Sequence, residues 1–187
     1  MDMTAFKSAF NGGTRANRFL VSGYIGTGDD GAMVPHTFHV RSTFIPPITN
    51  ITLSANAFGR KLNIPGDREY APWQITIYDD FGDITQNASS SPTNKWELFS
   101  RWHNDINRHM TNDSSLAFPH LNYKQSWKVE HLDLNGDIIK TFTMNGCWPK
   151  TVSDIDFNMT RRNFLNTFSV VMLYDDIVIA DLEADPV

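Results

Sequence analysis

Apolar and polar residues alternate along most of the chain, the period-two pattern of strands with one buried face. Residues 17–25 (NRFLVSGYI) predict the first strand, after a short helix candidate at residues 4–10. The turn cluster 26–31 (GTGDDG) follows, and then 36–45 (HTFHVRSTFI) alternates until Pro46-Pro47, where no ladder donor is available. Residues 51–58 and 60–64 predict the two arms of a hairpin turning near Gly59. The stretch WQITIY at 73–78 places Trp73, Ile75 and Ile77 on one face.

The period changes once. Over residues 95–109 (KWELFSRWHNDINRH), Trp96, Phe99, Trp102 (or His103) and Ile106 recur at steps of three and four, which predicts an amphipathic helix. Asn94 can cap it, with Glu97 completing a capping box. Strand patterning then returns at 125–133 and 137–145, joined by Leu134-Asn135-Gly136, where Asn-Gly readily supplies positive φ angles. A Gly146-Cys147-Trp148-Pro149 corner and strands at 154–158 and 164–173 complete the chain. Strands, one helix and strands again predict a mainly β (α+β) class, a small antiparallel β-barrel or sandwich with one flanking helix. No repeat or linker divides residues 1–187, so a single domain is expected.

Composition narrows the function. A hydrophobic fraction of 41%, with 12% aromatic residues, supplies a core and excludes a low-complexity chain. Sixteen basic against twenty-one acidic residues leave a net charge of −5, which lacks the basic face that gripping nucleic-acid phosphates requires. The start Met1-Asp2 has neither the basic region nor the apolar run of a secretory signal. The run Val170-Val171-Met172-Leu173 is far short of the roughly 20 residues that span a bilayer. A single cysteine, Cys147, closes no intrachain disulfide. A soluble product of a reducing cytoplasm is expected.

The residues that could carry chemistry are scattered. His36, His39, His103, His109, His120 and His131 show no metal-ligand spacing, so no metal or other cofactor is expected. Cys147 beside Trp148 reads as a small buried hydrophobe rather than a nucleophile. The glycines at 23, 26, 28 and 31 lack the Gly-Lys-Ser/Thr ending of a phosphate loop. Acids at Asp79-Asp80, Asp83, Asp154/Asp156 and Asp175-Asp176 sit at expected strand ends, where Asp commonly satisfies turn backbone. No catalytic site is expected. The charged stretch Gly66-Asp67-Arg68-Glu69-Tyr70 is then best read as a corner, with Gly66 bending the chain, Asp67 and Arg68 fixing it, and Trp73 anchoring the next strand.

Two separated blocks carry a resemblance. Gly59-Arg60-Lys61-Leu62-Asn63-Ile64, Gly66-Asp67-Arg68 and Trp73-Gln74-Ile75-Thr76-Ile77 form the first. Ile139-Lys140-Thr141-Phe142-Thr143, Asn145-Gly146-Cys147-Trp148-Pro149 and Val152-Ser153-Asp154-Ile155 form the second, before the closing strand 163–173. Together they resemble the tail tube proteins of contractile-tailed, T4-type bacteriophages, a family related to type VI secretion tube proteins. The opening strand Arg18-Phe19-Leu20-Val21 and the helix at 95–109 agree more loosely.

The resemblance implies a structural virion protein, synthesised and assembled in the host cytoplasm, and not an enzyme. Its copies would form hexameric rings, stacked into the hollow tube through which DNA leaves. The implied partners are further copies of the chain, the tail sheath protein, the baseplate tube initiator, the tail terminator and DNA passing without specific binding. A hairpin at about 43–72 would protrude towards the neighbouring ring, making Arg60, Lys61, Asp67 and Arg68 contact or corner residues. Trp73, Trp96, Phe99 and Trp148 would anchor the core. Six copies of a chain of net charge −5 carry −30, so acids facing the bore would repel phosphate. Residues 26–35, 111–123 and an extension at about 177–187 depart from the family pattern and are expected on the outer wall or ring junctions. The alternatives are a baseplate tube initiator, a tube protein of a secretion system or phage-like particle and, from another class, a small β-fold hydrolase or carbohydrate-binding module.

Overall fold

A computed structural model describes residues 2–3, 14–25, 36–80, 94–108, 110 and 123–180. The helix candidate at 4–10, the loop 26–35, most of the 111–123 segment, Asp83, His109, His120 and residues 181–187 lie outside the described residues. The elements are β1 (Phe19–Gly23), β2 (His36–Phe38), β3 (Val40–Thr43), β4 (Ile48–Ala57), β5 (Arg60–Tyr70), β6 (Trp73–Tyr78), α1 (Lys95–Ile106), β7 (Gln125–Leu132), β8 (Ile138–Val152), β9 (Thr167–Leu173) and β10 (Asp176–Ile179). Among the described residues the fold is mainly antiparallel β, with helix α1 set against it.

Eight strands hydrogen-bond in the order β2-β1-β7-β8-β9-β6-β3, with β10 added to β8. Strand β8 is the seam. Its first part pairs with β7 and β10, and its last part, Trp148 to Val152, pairs with β9. The corner expected at Gly146-Cys147-Trp148-Pro149 is therefore a bend inside one continuous strand. Gly146 makes the bend at φ +68, a conformation that costs L side chains a steric clash. His36–Ile45, expected as one strand, is broken at His39: β2 pairs with β1 and β3 with β6, so the chain crosses between the two halves of the sheet.

The two halves close on a core rich in aromatic residues. Val21, Trp127, Val129 and Met144 come from one side and Trp73, Ile75, Ile77, Phe168, Val170 and Met172 from the other, all buried. Trp73 and Trp127 meet edge to face with centroids 6.0 Å apart, a preferred aromatic geometry. Trp73 Nε1–H, buried with its ring, donates to Thr43 Oγ1 at 2.9 Å. Helix α1 adds Phe99 and Trp102 to this core, with the Phe99 ring 5.9 Å from both Trp127 and Phe168.

Helix α1 begins at Asn94, whose Oδ1 accepts from Trp96 N–H at 2.7 Å. Glu97 does not complete the capping box. Its carboxylate turns to Arg101 one helical turn on, at 2.5 Å. The helix ends at Ile106, short of His109, where Asn107 N–H reaches back to His103 O at 3.4 Å. In the β7–β8 turn only Gly136 takes a positive φ; Asn135 does not. That turn is closed by Gly136 N–H to Asp133 O and Asp133 N–H to Asp137 O. Residues 153–166 form a loop rather than the strand expected at 154–158, and β10 is a strand within the segment expected to be an added tail. Among the described residues, no helix is long and apolar enough to cross a membrane.

Candidate functional site

The feature that needs explaining is the β4–β5 ribbon. Its strands pair with each other and with no strand of the large sheet. Every residue of β4 is exposed, and β5 is exposed except at Gly66 and Tyr70. The turn is Phe58-Gly59, with both residues at positive φ, and the Phe58 ring stands entirely in solvent. At the base the Tyr70 ring lies 5.5 Å from Tyr174, which ties the ribbon to the body.

The register sorts its side chains. Leu53 opposes Ile64 and Ala55 opposes Leu62, while Ser54 opposes Asn63 and Asn56 opposes Lys61. Since neighbours along a strand point to opposite faces, Ile51, Leu53, Leu62 and Ile64 share one face and the polar residues share the other. An isolated two-stranded ribbon has nothing of its own to bury that apolar face.

The stretch 66–70 is not a corner at a strand end. Asn50 pairs with Arg68 and Thr52 with Pro65, so Gly66 and Asp67 together oppose Ile51. This is a β-bulge, one extra residue that bends and twists the ribbon while β5 runs on to Tyr70. Gly66 is required by proximity: a Cβ there would lie 2.8 Å from Ile51 O. Arg60 stands at the turn, Lys61 next to it on the opposite face, and Asp67 and Arg68 at the bulge, all exposed. None of these four has an ion pair among the described residues.

The four aromatic residues expected in the core occupy two kinds of place. Trp73 and Phe99 are wholly buried, whereas Trp96 and Trp148 pack on the core's margin. Trp96 Nε1–H donates to Ser153 O at 2.8 Å and pins the helix to the end of β8. Trp148 meets Tyr123 edge to face.

The acids are dispersed. Asp79 accepts from Asn94 Nδ2, Asp80 faces His39 at 3.2 Å, Asp156 pairs with Arg161 and Asp175 with Lys124. Each of these four is occupied in a different local contact among the described residues. Among the described residues, no group of three His, Cys, Asp or Glu side chains is placed to hold a metal ion. Cys147 is wholly buried, and burial pushes its thiol up, with the nearby Asp175 carboxylate adding to the effect; such a thiol is a poor nucleophile.

Sequence reading missed a second exposed apolar surface. Phe157, Met159, Phe164 and Leu165 all project into solvent from the 153–166 loop. The loop is held in shape from within: Asn158 Oδ1 accepts from Thr160 N–H and Oγ1, and Arg161 reaches Asp156 at 2.7 Å. The signal was the apolar cluster itself, which alternation assigned to strands.

No family model matches the chain. The tail tube protein of Serratia phage KSP90 is 30% identical over 116 residues, which span 62% of this chain and 59% of that protein. The tail tube protein gp19 of Enterobacteria phage T4 is 24% identical over 140 residues, 74% of this chain and 78% of that one. The chain thus matches under two thirds of the length of the KSP90 relative. Among solved structures, a chain of the anti-feeding prophage baseplate superposes with a TM-score of 0.60 at 13% identity, covering 89% of this chain and 95% of its own. A chain of the sheath–tube complex of an extracellular contractile injection system gives 0.56 at 14% identity, covering 96% and 97%. At such identities the superpositions show a shared fold. The chain is thus similar in sequence to two phage tail tube proteins and shares its fold with chains of contractile injection systems.

Proposed function

We propose that the protein builds the inner tube of a contractile phage tail, as hexameric rings stacked into a hollow conduit for DNA, capped by a terminator, begun on a baseplate initiator and surrounded by a sheath. The single observation that carries this reading is the β4–β5 ribbon, a strand pair with one apolar face that no described part of its own chain covers. Ring closure by rotation, together with stacking through a different surface, gives an open-ended filament. The ribbon is suited to the stacking contact, because it leaves the body and is fixed only at its base. In that role Arg60 and Lys61 sit at the leading end, and the Gly66-Asp67 bulge sets the ribbon's bend.

The bore on this reading differs from an acid-lined one. Among the described residues, the strands outside the ribbon carry two carboxylates, Glu130 and Asp176. Phosphate repulsion would come from acids in loops, and a strand-lined wall would present hydroxyl and amide groups such as Gln74 and the hydrogen-bonded Thr76–Ser169 pair. The same strands also carry Arg41, Lys128, Lys140 and Lys150, so passage without gripping requires these cations to lie away from the bore.

Negative-stain electron microscopy of the purified chain over a range of concentrations tests the reading. Rings and tubes of uniform width with a central channel are expected. A Leu53→Asp, Leu62→Asp double variant is expected to remain folded and to form no tubes, and Asp67→Ala or Arg68→Ala to slow tube growth. Folded monomers of the unaltered chain at every concentration, with and without a tube-capped baseplate as seed, would sink the proposal.

A further inference from the structure

We infer that the apolar face of the ribbon seats on the 157–165 loop of another copy of this chain, so that these two surfaces form one heterologous contact. The inference rests on the tube reading and names the receiving surface within it. A contact that propagates along a filament must join two different patches, since a patch that pairs with itself closes a dimer and stops. Among the described residues three clusters of apolar side chains stand exposed on defined backbone. They are the ribbon face, with Leu53 and Leu62 each 57% exposed, the β7–β8 turn, with Leu134 51% and Ile138 56%, and the loop, with Phe164 77% and Met159 101%. Of the two outside the ribbon, the loop is the more exposed, and it is the receiving surface. Soluble monomers rarely leave contiguous apolar surface open unless it is an interaction site.

The two surfaces also match in charge. On the ribbon's apolar face, Arg60 stands at the turn and Glu69 near the base, opposite Ala57 and Thr49. The loop begins with Asp154 and Asp156, and Arg162 follows within it. Arg60, Glu69, Asp154 and Arg162 have no ion pair among the described residues. A ribbon laid along the loop with its turn towards Asp154 brings Arg60 to an acid and Glu69 to Arg162. The reversed direction sets like charges together. Repulsion in one direction and attraction in the other selects a single polarity of docking.

Cross-linking tests the contact directly, because buried Cys147 leaves engineered thiols as the accessible ones. Tubes grown from a mixture of Leu62→Cys and Phe164→Cys chains are treated with a short bismaleimide. The expected product is a dimer of mixed composition, with no dimer from either variant alone. A dimer from Leu62→Cys alone would mean ribbon against ribbon and would overturn the inference. Tubes without the mixed product would overturn it while leaving the tube reading intact; failure of the unaltered chain to assemble, seeded or not, would remove both. A second measurement separates contact from folding. Rings of Leu62→Asp keep the loop and rings of Phe164→Asp keep the ribbon, so mixing them is expected to give particles of twice the ring mass in sedimentation. Neither variant alone should pass one ring. Tube growth by either alone contradicts the proposal, as would a Phe164→Asp chain that assembles normally because its loop faces some other partner.

Discussion

Strands β6 and β9 alternate and bury one face; β4 and β5 alternate and bury neither. In the first pair Trp73, Ile75 and Ile77 meet Met172, Val170 and Phe168 across the ladder, and all six are buried. In the second, Leu53 opposes Ile64 and Ala55 opposes Leu62 in an equally regular register, and all stay in water. The difference lies in size and place rather than in pattern. The β6–β9 face is closed by Trp127 and Phe99, large aromatics delivered by other elements of the same chain. Among the described residues, the ribbon has no such element above it. Period-two patterning states that a face will be covered; it does not state by which molecule.

The largest test of that contrast is a matched pair of truncations. Trp127→Ala removes a wholly buried ring that touches Phe38, Trp73 and Phe99, and should cost about 3–5 kcal/mol in urea denaturation. Leu62→Ala should change the stability of the unassembled chain by no more than about 0.5 kcal/mol. Comparable losses would mean that the ribbon packs on its own body and is not a free surface.

Glycine substitutions sharpen the comparison further. A Cβ at Gly23 would fall 2.3 Å from the Trp127 ring, which is wholly buried and has nowhere to go. Gly23→Ala should therefore cost about 3 kcal/mol, the upper part of the range for overpacking. Gly59, at the ribbon's turn, has φ +76 and open space around it, so Gly59→Ala should cost only the left-handed penalty of about 1 kcal/mol. Thermal or urea midpoints decide the ranking. A Gly59→Ala loss as large as that of Gly23→Ala would show the turn to be packed.

Which parts of this molecule could be read before the structure follows from the same distinction. The buried face of β6, the cap at Asn94 and the β4–β5 turn beside Gly59 are local: spacing, a capping side chain and a permissive residue fix them. Most of the misreadings involve pairing between distant segments. Asp67 and Arg68 read as a corner because nothing local reveals that Ile51, on the other arm, faces an extra residue. Gly146 read as a strand end, since its role in carrying β8 from β7 to β9 exists only once both partners are in place. β10 was read as part of a tail, because four residues beside β8 give too short a pattern to stand out. The 153–166 loop was misread for the opposite reason: its apolar residues are regular enough to resemble a strand and yet cover nothing in the monomer.

Cys147 provides the smallest test, and the one that depends on pH. Burial, with Asp175 and Asp176 adding to it against a hydrogen bond from the Trp127 backbone, pushes the folded thiol up. The unfolded chain releases this proton above about pH 8.5 while the folded chain retains it. The unfolded state then binds fewer protons, so unfolding free energy falls as pH rises, by up to about 1.4 kcal/mol per pH unit. Below pH 8.5 the thiol contributes no slope. Tyr174, raised chiefly by burial beside Cys147, adds a slope of the same sign only above about pH 10, which leaves the window between to Cys147. Urea denaturation at pH 7.5, 8.5 and 9.5 should show the loss in the native chain and its absence in Cys147→Ala. A Leu62→Cys, Cys147→Ala chain should be flat as well, because a thiol on the ribbon ionises equally in both states and reports no burial. A slope in that double variant, or its survival in Cys147→Ala, would place the alkaline sensitivity elsewhere and would break the contrast between a sealed body and an open ribbon.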